Sequence, residues 1–167
     1  VRNVGVLKVR VENITAKEDG SFKLPEDSEK AYRQLVELTR TQSTSGDNLR
    51  KMWGEFSSKF KEKRVCDVEY WKAETFYNEE AYGSAINGFK KVVQNSKGCT
   101  KEEAAYLRIT YSLYYLDKKD VARKFFDGMK VKFPKSSFPT QMKKLEELLK
   151  INEKSSGNKK ATKSGKK

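Results

Sequence analysis

The sequence predicts an all-α protein made of stacked antiparallel helix hairpins, and three observations lead to this fold class. From residue 27 onward, apolar residues recur at three- and four-residue spacing, which is the period of an amphipathic helix. Short segments rich in turn-forming residues separate these helical stretches. Part of the chain also matches itself at an offset of 37 residues, as a repeated hairpin would.

Residues 1–26 are expected to be an extension that lies outside the helical domain. Within it, the segment 4–11 (VGVLKVRV) alternates as a strand does, but positions 4, 7, 11 and 14 are also spaced like one face of a helix. The β-branched valines favour extended structure, so a short strand is the prediction. The segment 15–28 contains Asp19-Gly20 and Pro25 and is expected to form a turn and connector.

Seven helices with short turns are predicted between residues 27 and 150. Asp27 or Ser28 can cap the first helix, and the polar segment 41–47 ends it. The second helix begins near Asp47 and carries a broad apolar stripe that includes Trp53 and Phe56. The other five helices are predicted at residues 68–77, 84–94, 104–116, 121–133 and 140–150.

The repeated unit is a pair of helices. Residues 69–97 align with residues 106–134, and this alignment places Ala85 over Ala122 and Phe89 over Phe126. A looser copy lies upstream at an offset of 36, where Leu49, Trp53 and Phe56 fall at the positions of Ala85, Phe89 and Val92. A small residue lets two helices approach closely, and a phenylalanine can fill the space to the next pair. Three helix pairs therefore share one plan.

This plan resembles the tetratricopeptide (TPR) repeat, a helix–turn–helix unit of about 34 residues with A-x3-F on its second helix and a proline at its end. Pro134 stands at that end in the second copy, whereas the first copy has Lys97. The segment 68–150 is also similar to the C-terminal TPR domain of the Tol–Pal-associated periplasmic cell-division coordinator family and to TPR-containing outer-membrane assembly lipoproteins. The resemblance implies a TPR-like solenoid of about three repeats with a capping helix.

For function, the resemblance implies a non-enzymatic adaptor or scaffold of the bacterial cell envelope. In such a stack, the first helix of each pair lines a concave face that holds a partner polypeptide. The spacing of the family assigns six residues of this chain to the groove: Tyr70, Glu74, Tyr77, Leu107, Tyr111 and Tyr114. Packing of these tyrosine rings between helices is the open alternative, and Tyr115 is expected in the core.

Cys66 and Cys99 each precede the first helix of one repeat, which would place them on neighbouring turns. A disulfide, which needs α-carbons within about 7 Å, and two unpaired thiols both remain open. A periplasmic setting would permit the bridge. Two cysteines alone cannot bind zinc, because three or four protein ligands are needed. No metal and no cofactor is predicted.

The composition argues against most familiar catalytic designs. The chain has no histidine, which excludes histidine-based triads and the commonest zinc ligand. The adjacent carboxylate pairs, such as Glu102-Glu103, diverge on a helix and do not share one site. No enzymatic activity is predicted.

Almost half of the net charge of +13 lies at the C-terminus, where the segment 150–167 has seven lysines and one acidic residue. Residues 151–167 lack large apolar side chains apart from Ile151 and are expected to form a disordered basic tail. The alternative function is therefore nucleic-acid or anionic-surface binding through this tail, and a merely solubilising tail is a third interpretation.

The expected partners are proteins of an envelope complex, with nucleic acid disfavoured and an anionic surface left to the tail. A second copy of the chain is a further candidate partner, since about three repeats are the minimum for a stable stack. The expected location is the bacterial periplasm; association with the outer membrane and a cytoplasmic location both remain open.

Overall fold

The computed structural model describes residues 14–95 and 97–156, with side chains described as far as Lys150. Within these residues the chain forms seven α-helices and one very short β-hairpin, so the predicted all-α class with helix-hairpin packing is confirmed. The strand predicted at 4–11 and the tail from residue 157 lie outside the described residues.

The helices begin within a few residues of their predicted starts. They are α1 (Ser28–Thr41), α2 (Gly46–Lys59), α3 (Val65–Asn78), α4 (Tyr82–Gln94), α5 (Glu102–Tyr115), α6 (Lys119–Lys132) and α7 (Pro139–Ser156). The Asp27 carboxylate caps α1 by accepting a hydrogen bond from the backbone N–H of Lys30 at 2.7 Å. The Ser45 hydroxyl caps α2 in the same way through Asn48. Helix α7 runs to Ser156, which is past its predicted end at residue 150.

The connector predicted at 15–28 contains a hairpin that sequence patterning did not reveal. Strand β1 (Thr15–Ala16) pairs antiparallel with β2 (Phe22–Lys23), with Thr15 opposite Lys23. Asp19 closes the turn by accepting hydrogen bonds from the N–H and the hydroxyl of Ser21, and Gly20 adopts a φ of 79° that favours glycine. Two-residue strands are too short to show a period, which is why the pattern missed them.

The helices form two layers. Each helix packs against the next one along the chain, and α1, α3 and α5 each also contact the next odd-numbered helix. Helices α1, α3, α5 and α7 are called the odd layer here, and α2, α4 and α6 the even layer. Since consecutive helices are joined by short turns, each odd helix and the even helix after it form a hairpin.

The core lies between the two layers and contains the residues that the repeat predicts. Ala85, Phe89 and Ala122 are fully buried, and Phe126 is almost so. In the upstream pair, Trp53 and Phe56 are also fully buried. The indole N–H of Trp53 donates to the buried Thr39 hydroxyl at 3.0 Å, so this polar group has a partner inside the core.

Helices α3 and α4 approach each other closely at Gly88 and Ala73. A Cβ added to Gly88 would lie 2.7 Å from the Ala73 Cβ, well inside van der Waals contact. Gly88 therefore allows the two helix backbones to come together. The aligned position in the second repeat is Phe125, whose ring packs on Tyr106 with centroids 5.1 Å apart. The two repeats thus close their hairpins differently.

The odd-layer helices contact one another through positions that repeat at the same offset. Trp71 in α3 reaches back to α1, where its indole N–H donates to the Tyr32 hydroxyl at 3.1 Å. Arg108, the aligned residue in α5, reaches back to Glu74 in α3. Tyr111, aligned with Glu74, reaches forward to α7, where its hydroxyl donates to the Gln141 carbonyl at 3.3 Å. One position of each repeat thus faces the previous helix and another faces the next.

Candidate interaction surface

The six residues predicted to line a groove all lie on odd-layer helices, but they differ in accessibility. Four of them keep less than a tenth of their surface exposed: Tyr70 (7%), Glu74 (6%), Leu107 (5%) and Tyr111 (6%). Tyr77 and Tyr114 are half-buried. Most of the predicted groove is therefore packed inside the protein, and only the last two side chains offer substantial surface to a partner.

Tyr70 is buried because two aromatic rings and the Lys101 side chain pack around it. Its ring centroid lies 5.2 Å from that of Trp71 and 5.4 Å from that of Phe89 in α4. The Lys101 ammonium lies 5.6 Å from the same ring. Burial, together with the nearby Glu74 carboxylate, raises the pKa of the Tyr70 phenol well above its ordinary value. Tyr70 is thus a neutral packing residue.

Glu74 and Arg108 form a bidentate ion pair that joins α3 to α5. The Arg108 Nε lies 2.5 Å from Glu74 Oε1, and Nη2 lies 3.1 Å from Oε2. Burial alone would lower the pKa of Arg108, but the charge and hydrogen bonds of Glu74 outweigh it and raise that pKa. Arg108 therefore stays charged, and the fork geometry fixes the register of the two helices.

The Arg108 guanidinium also covers Tyr77. Its central carbon lies 4.4 Å from the centroid of the Tyr77 ring, a cation–π distance. Burial raises the pKa of Tyr77 to about 12, although the Arg108 charge opposes the shift. The hydroxyl therefore remains protonated and able to donate a hydrogen bond at neutral pH.

Five tyrosines meet where α3 and α5 end and α4 begins; they are called the tyrosine cluster here: Tyr77, Tyr82, Tyr111, Tyr114 and Tyr115. The Tyr82 ring contacts Tyr77 edge to face at 5.6 Å and stacks on Tyr115 at 5.0 Å. Tyr115 in turn lies 6.3 Å from Tyr111 and 5.6 Å from Tyr114. The rings form one continuous aromatic cluster, in which Tyr111 is buried, with hydroxyl groups as its polar component.

Two members of the tyrosine cluster were not predicted as surface residues. Tyr115 was expected in the core, and this is wrong, since it keeps 46% of its surface exposed. Gln141 lies in the first turn of α7 and covers Tyr111, but Tyr115 is one helical turn further along α5. Tyr82 falls in a predicted turn. The aligned Lys119 likewise approaches the tyrosine aligned with Tyr77, namely Tyr114 at 6.0 Å, but this correspondence is visible only in the structure.

Cys66 and Cys99 are joined by a disulfide, with α-carbons 5.9 Å apart. Cys66 lies in the first turn of α3, and Cys99 lies just before α5. The bond therefore ties consecutive odd-layer helices together near their N-terminal ends, opposite the tyrosine cluster. Both half-buried cysteines pack against the hydrophobic core.

The described side chains contain no cluster of three or more cysteine, aspartate and glutamate residues suited to holding a metal ion. In the same part of the chain, no helix combines the length and apolar character that a membrane span requires. Comparison with known proteins adds no family assignment, since no family model matches the sequence and no curated protein is significantly similar to it.

Proposed function

We propose that the chain is a non-enzymatic TPR-type adaptor that binds a segment of a partner polypeptide on the odd layer. Three features support a TPR-type solenoid: the repeat at an offset of 37, the buried alanine and phenylalanine positions, and the alternation of the helices between two layers. The odd layer is the more closely spaced, because its helices contact one another as well as the even layer. In a curved stack the closer layer lies on the concave side.

The tyrosine cluster is the part of that layer best suited to recognition. Tyrosine contributes a large rigid contact area and a hydrogen-bonding group at low conformational-entropy cost, and it is enriched in protein interfaces. The rings already pack against one another, so less side-chain freedom is lost when a partner binds. The unbroken ring contact from Tyr77 through Tyr82 to Tyr115 is the single observation that carries the proposal.

An extracytoplasmic location, such as the bacterial periplasm, is part of the same proposal. The bond between Cys66 and Cys99 supports it, because disulfides persist in oxidising compartments and are rare in the cytosol. In such a compartment the protein would act as a scaffold of an envelope complex.

The test is selection of a phage-displayed library of random dodecapeptides on the full-length chain, followed by binding measurements on the enriched peptides. Substitution of Tyr82→Ala together with Tyr115→Ala should weaken the enriched peptides by about tenfold or more, as expected for aromatic interface anchors. The matched control is Val65→Ala with Val131→Ala, which removes two exposed apolar side chains elsewhere. Far-UV circular dichroism checks that both variants remain folded.

Failure to enrich any peptide, or equal binding by the tyrosine variant and the valine control, would contradict the proposed function. A loss confined to the tyrosine variant would support it.

A further inference from the structure

A second feature of the odd layer lies away from the tyrosine cluster, around Trp71 in α3. The Trp71 ring keeps only 5% of its surface exposed. Two cations cover it: the Arg40 guanidinium from α1 and the Lys101 ammonium from the residue before α5, each 5.3 Å from the ring centroid. Three consecutive odd-layer helices thus contribute to one place.

Arg40 and Lys101 share the Trp71 ring and have no carboxylate partner among the described residues, whereas two arginines of the same layer do. Arg64 pairs with Glu29 and Asp67, and Arg108 pairs with Glu74. Across the described residues, no ion pair involves Arg40 or Lys101, although Arg40 is exposed and Lys101 half-buried. Their positive charges are therefore available to an external anion.

The aromatic floor holds these two cations in position. The electron-rich face of an indole attracts a cation, and Lys101 also contacts Tyr70. Because each cation lies 5.3 Å from the same centroid, the two can be at most about 11 Å apart. Carboxylates two residues apart on an extended peptide are separated by about 7 Å, which fits within that span.

We infer that Arg40 and Lys101 form an anchor for an acidic segment of the partner polypeptide, which crosses the odd layer over Trp71. This inference deepens the proposed function and depends on it. Charge complementarity selects the occupant: two unpaired cations in a protein of net charge +13 favour a segment that carries aspartate or glutamate. A basic segment would meet both charges without compensation.

The neighbouring carboxylates favour a peptide over a nucleic acid. Glu29, Asp67 and Glu74 lie around the same helices, each paired with an arginine. A polyanion carries a charge at every phosphate and would bring several of them close to these carboxylates. A peptide with one or two acidic side chains can instead place its charges on the two free cations alone.

The test uses dodecapeptides selected on the full-length chain, labelled with fluorescein and measured by fluorescence anisotropy. The enriched peptides should contain more aspartate and glutamate than the unselected library. Substitution of Arg40→Gln with Lys101→Gln should weaken them roughly tenfold or more, because it removes two charge-assisted contacts. The matched control, Lys51→Gln with Lys90→Gln, makes the same change in net charge on two exposed even-layer lysines and should change binding less than about twofold.

Each other outcome overturns the inference, and the outcomes separate it from the proposed function. Suppose that the enriched peptides bind less well after the tyrosine substitutions. If they are not acidic, or if Arg40→Gln with Lys101→Gln does not weaken them, the adaptor function stands and the cationic anchor is refuted. Equal weakening by the even-layer control would show a nonspecific charge effect. If a short single-stranded DNA displaced the peptides from the unaltered protein but did not bind the variant with Arg40→Gln and Lys101→Gln, nucleic acid would be the occupant. A selection that enriches nothing would remove both.

Discussion

Replacing Gly88 with alanine should reveal how closely α3 and α4 must approach. The added Cβ would lie 2.7 Å from the Ala73 Cβ and 3.2 Å from its Cα, whereas carbon atoms normally pack at about 3.5–4.0 Å. Ala73 cannot rotate away, because the contact involves its backbone and first side-chain atom. The helices must therefore separate, and the tight packing around Trp71 and Tyr70 on α3 must adjust with them.

Two opposing free energies set the magnitude of this effect. Overpacking a core contact costs about 1–3 kcal/mol, while alanine is more favourable than glycine inside a helix by about 1 kcal/mol. The control is Gly128→Ala in α6, where an added Cβ meets no atom within 4 Å. Because both substitutions gain the same helix propensity, the difference between their free energies of unfolding isolates the contact. We expect Gly88→Ala to be less stable than Gly128→Ala by about 1–3 kcal/mol.

Urea unfolding followed by circular dichroism at the helical band measures both variants, and a third variant identifies the contact. Ala73→Gly combined with Gly88→Ala moves the methyl group from one helix to the other and should show a favourable coupling of about 1 kcal/mol or more in a double-mutant cycle. If Gly88→Ala stabilised the protein as much as Gly128→Ala does, the close-approach argument would be refuted.

Three further predictions concern charge and covalent structure. Raising the pH from about 10 to about 12 should lower Tm. An unfolded tyrosine ionises near pH 10, whereas folded Tyr77, with a pKa of about 12, keeps its proton. Below about pH 10 Tyr77 is protonated in both the folded and the unfolded state, so its contribution to stability is fully present. Tyr77→Phe should lose less stability across this range in thermal unfolding, and an equal loss would contradict the assignment. Cys66→Ser with Cys99→Ser should reduce the free energy of unfolding by roughly 3–4 kcal/mol, since the bond spans 33 residues; a urea titration that shows a loss below about 1 kcal/mol would count against it. Deleting residues 157–167, with their five lysines, should abolish salt-sensitive retention on immobilised DNA and leave peptide binding unchanged; loss of peptide binding would favour the tail as the functional element.

The helical fold could be predicted because its signals are local and repeated. A helix shows its buried face within one or two turns of sequence, and the repeat supplies the same pattern again at a fixed offset. Ala85 and Phe89 were identified in this way, and both are fully buried. Gly88 was not, because an isolated glycine in a helical pattern does not say which neighbouring helix approaches it. Only the structure shows that Gly88 faces Ala73 of α3.

The accessibility of the tyrosines could be predicted only in part. Spacing correctly places Tyr70, Tyr77 and Tyr111 on odd-layer helices, but their exposure depends on what packs beside each helix. Tyr70 is covered by rings from its own and the adjacent helix, and Tyr111 by the start of α7. A period describes one helix at a time, so it cannot distinguish a residue under a neighbouring helix from one beside a turn.

The succession of odd-layer contacts explains why the open surface lies where it does. Trp71 binds back to Tyr32, Arg108 binds back to Glu74, and Tyr111 binds forward to α7, so every odd helix after the first is anchored to its predecessor. Within the part of the chain that the structure describes, α7 is the last of these helices, and it covers the face of α5 that carries Tyr111. A partner of the proposed kind would therefore meet accessible groups over α1, α3 and the N-terminal end of α5, and again at the tyrosine cluster beyond the start of α7. A polypeptide that follows the odd layer can contact both places, whereas a compact ligand can contact only one of them.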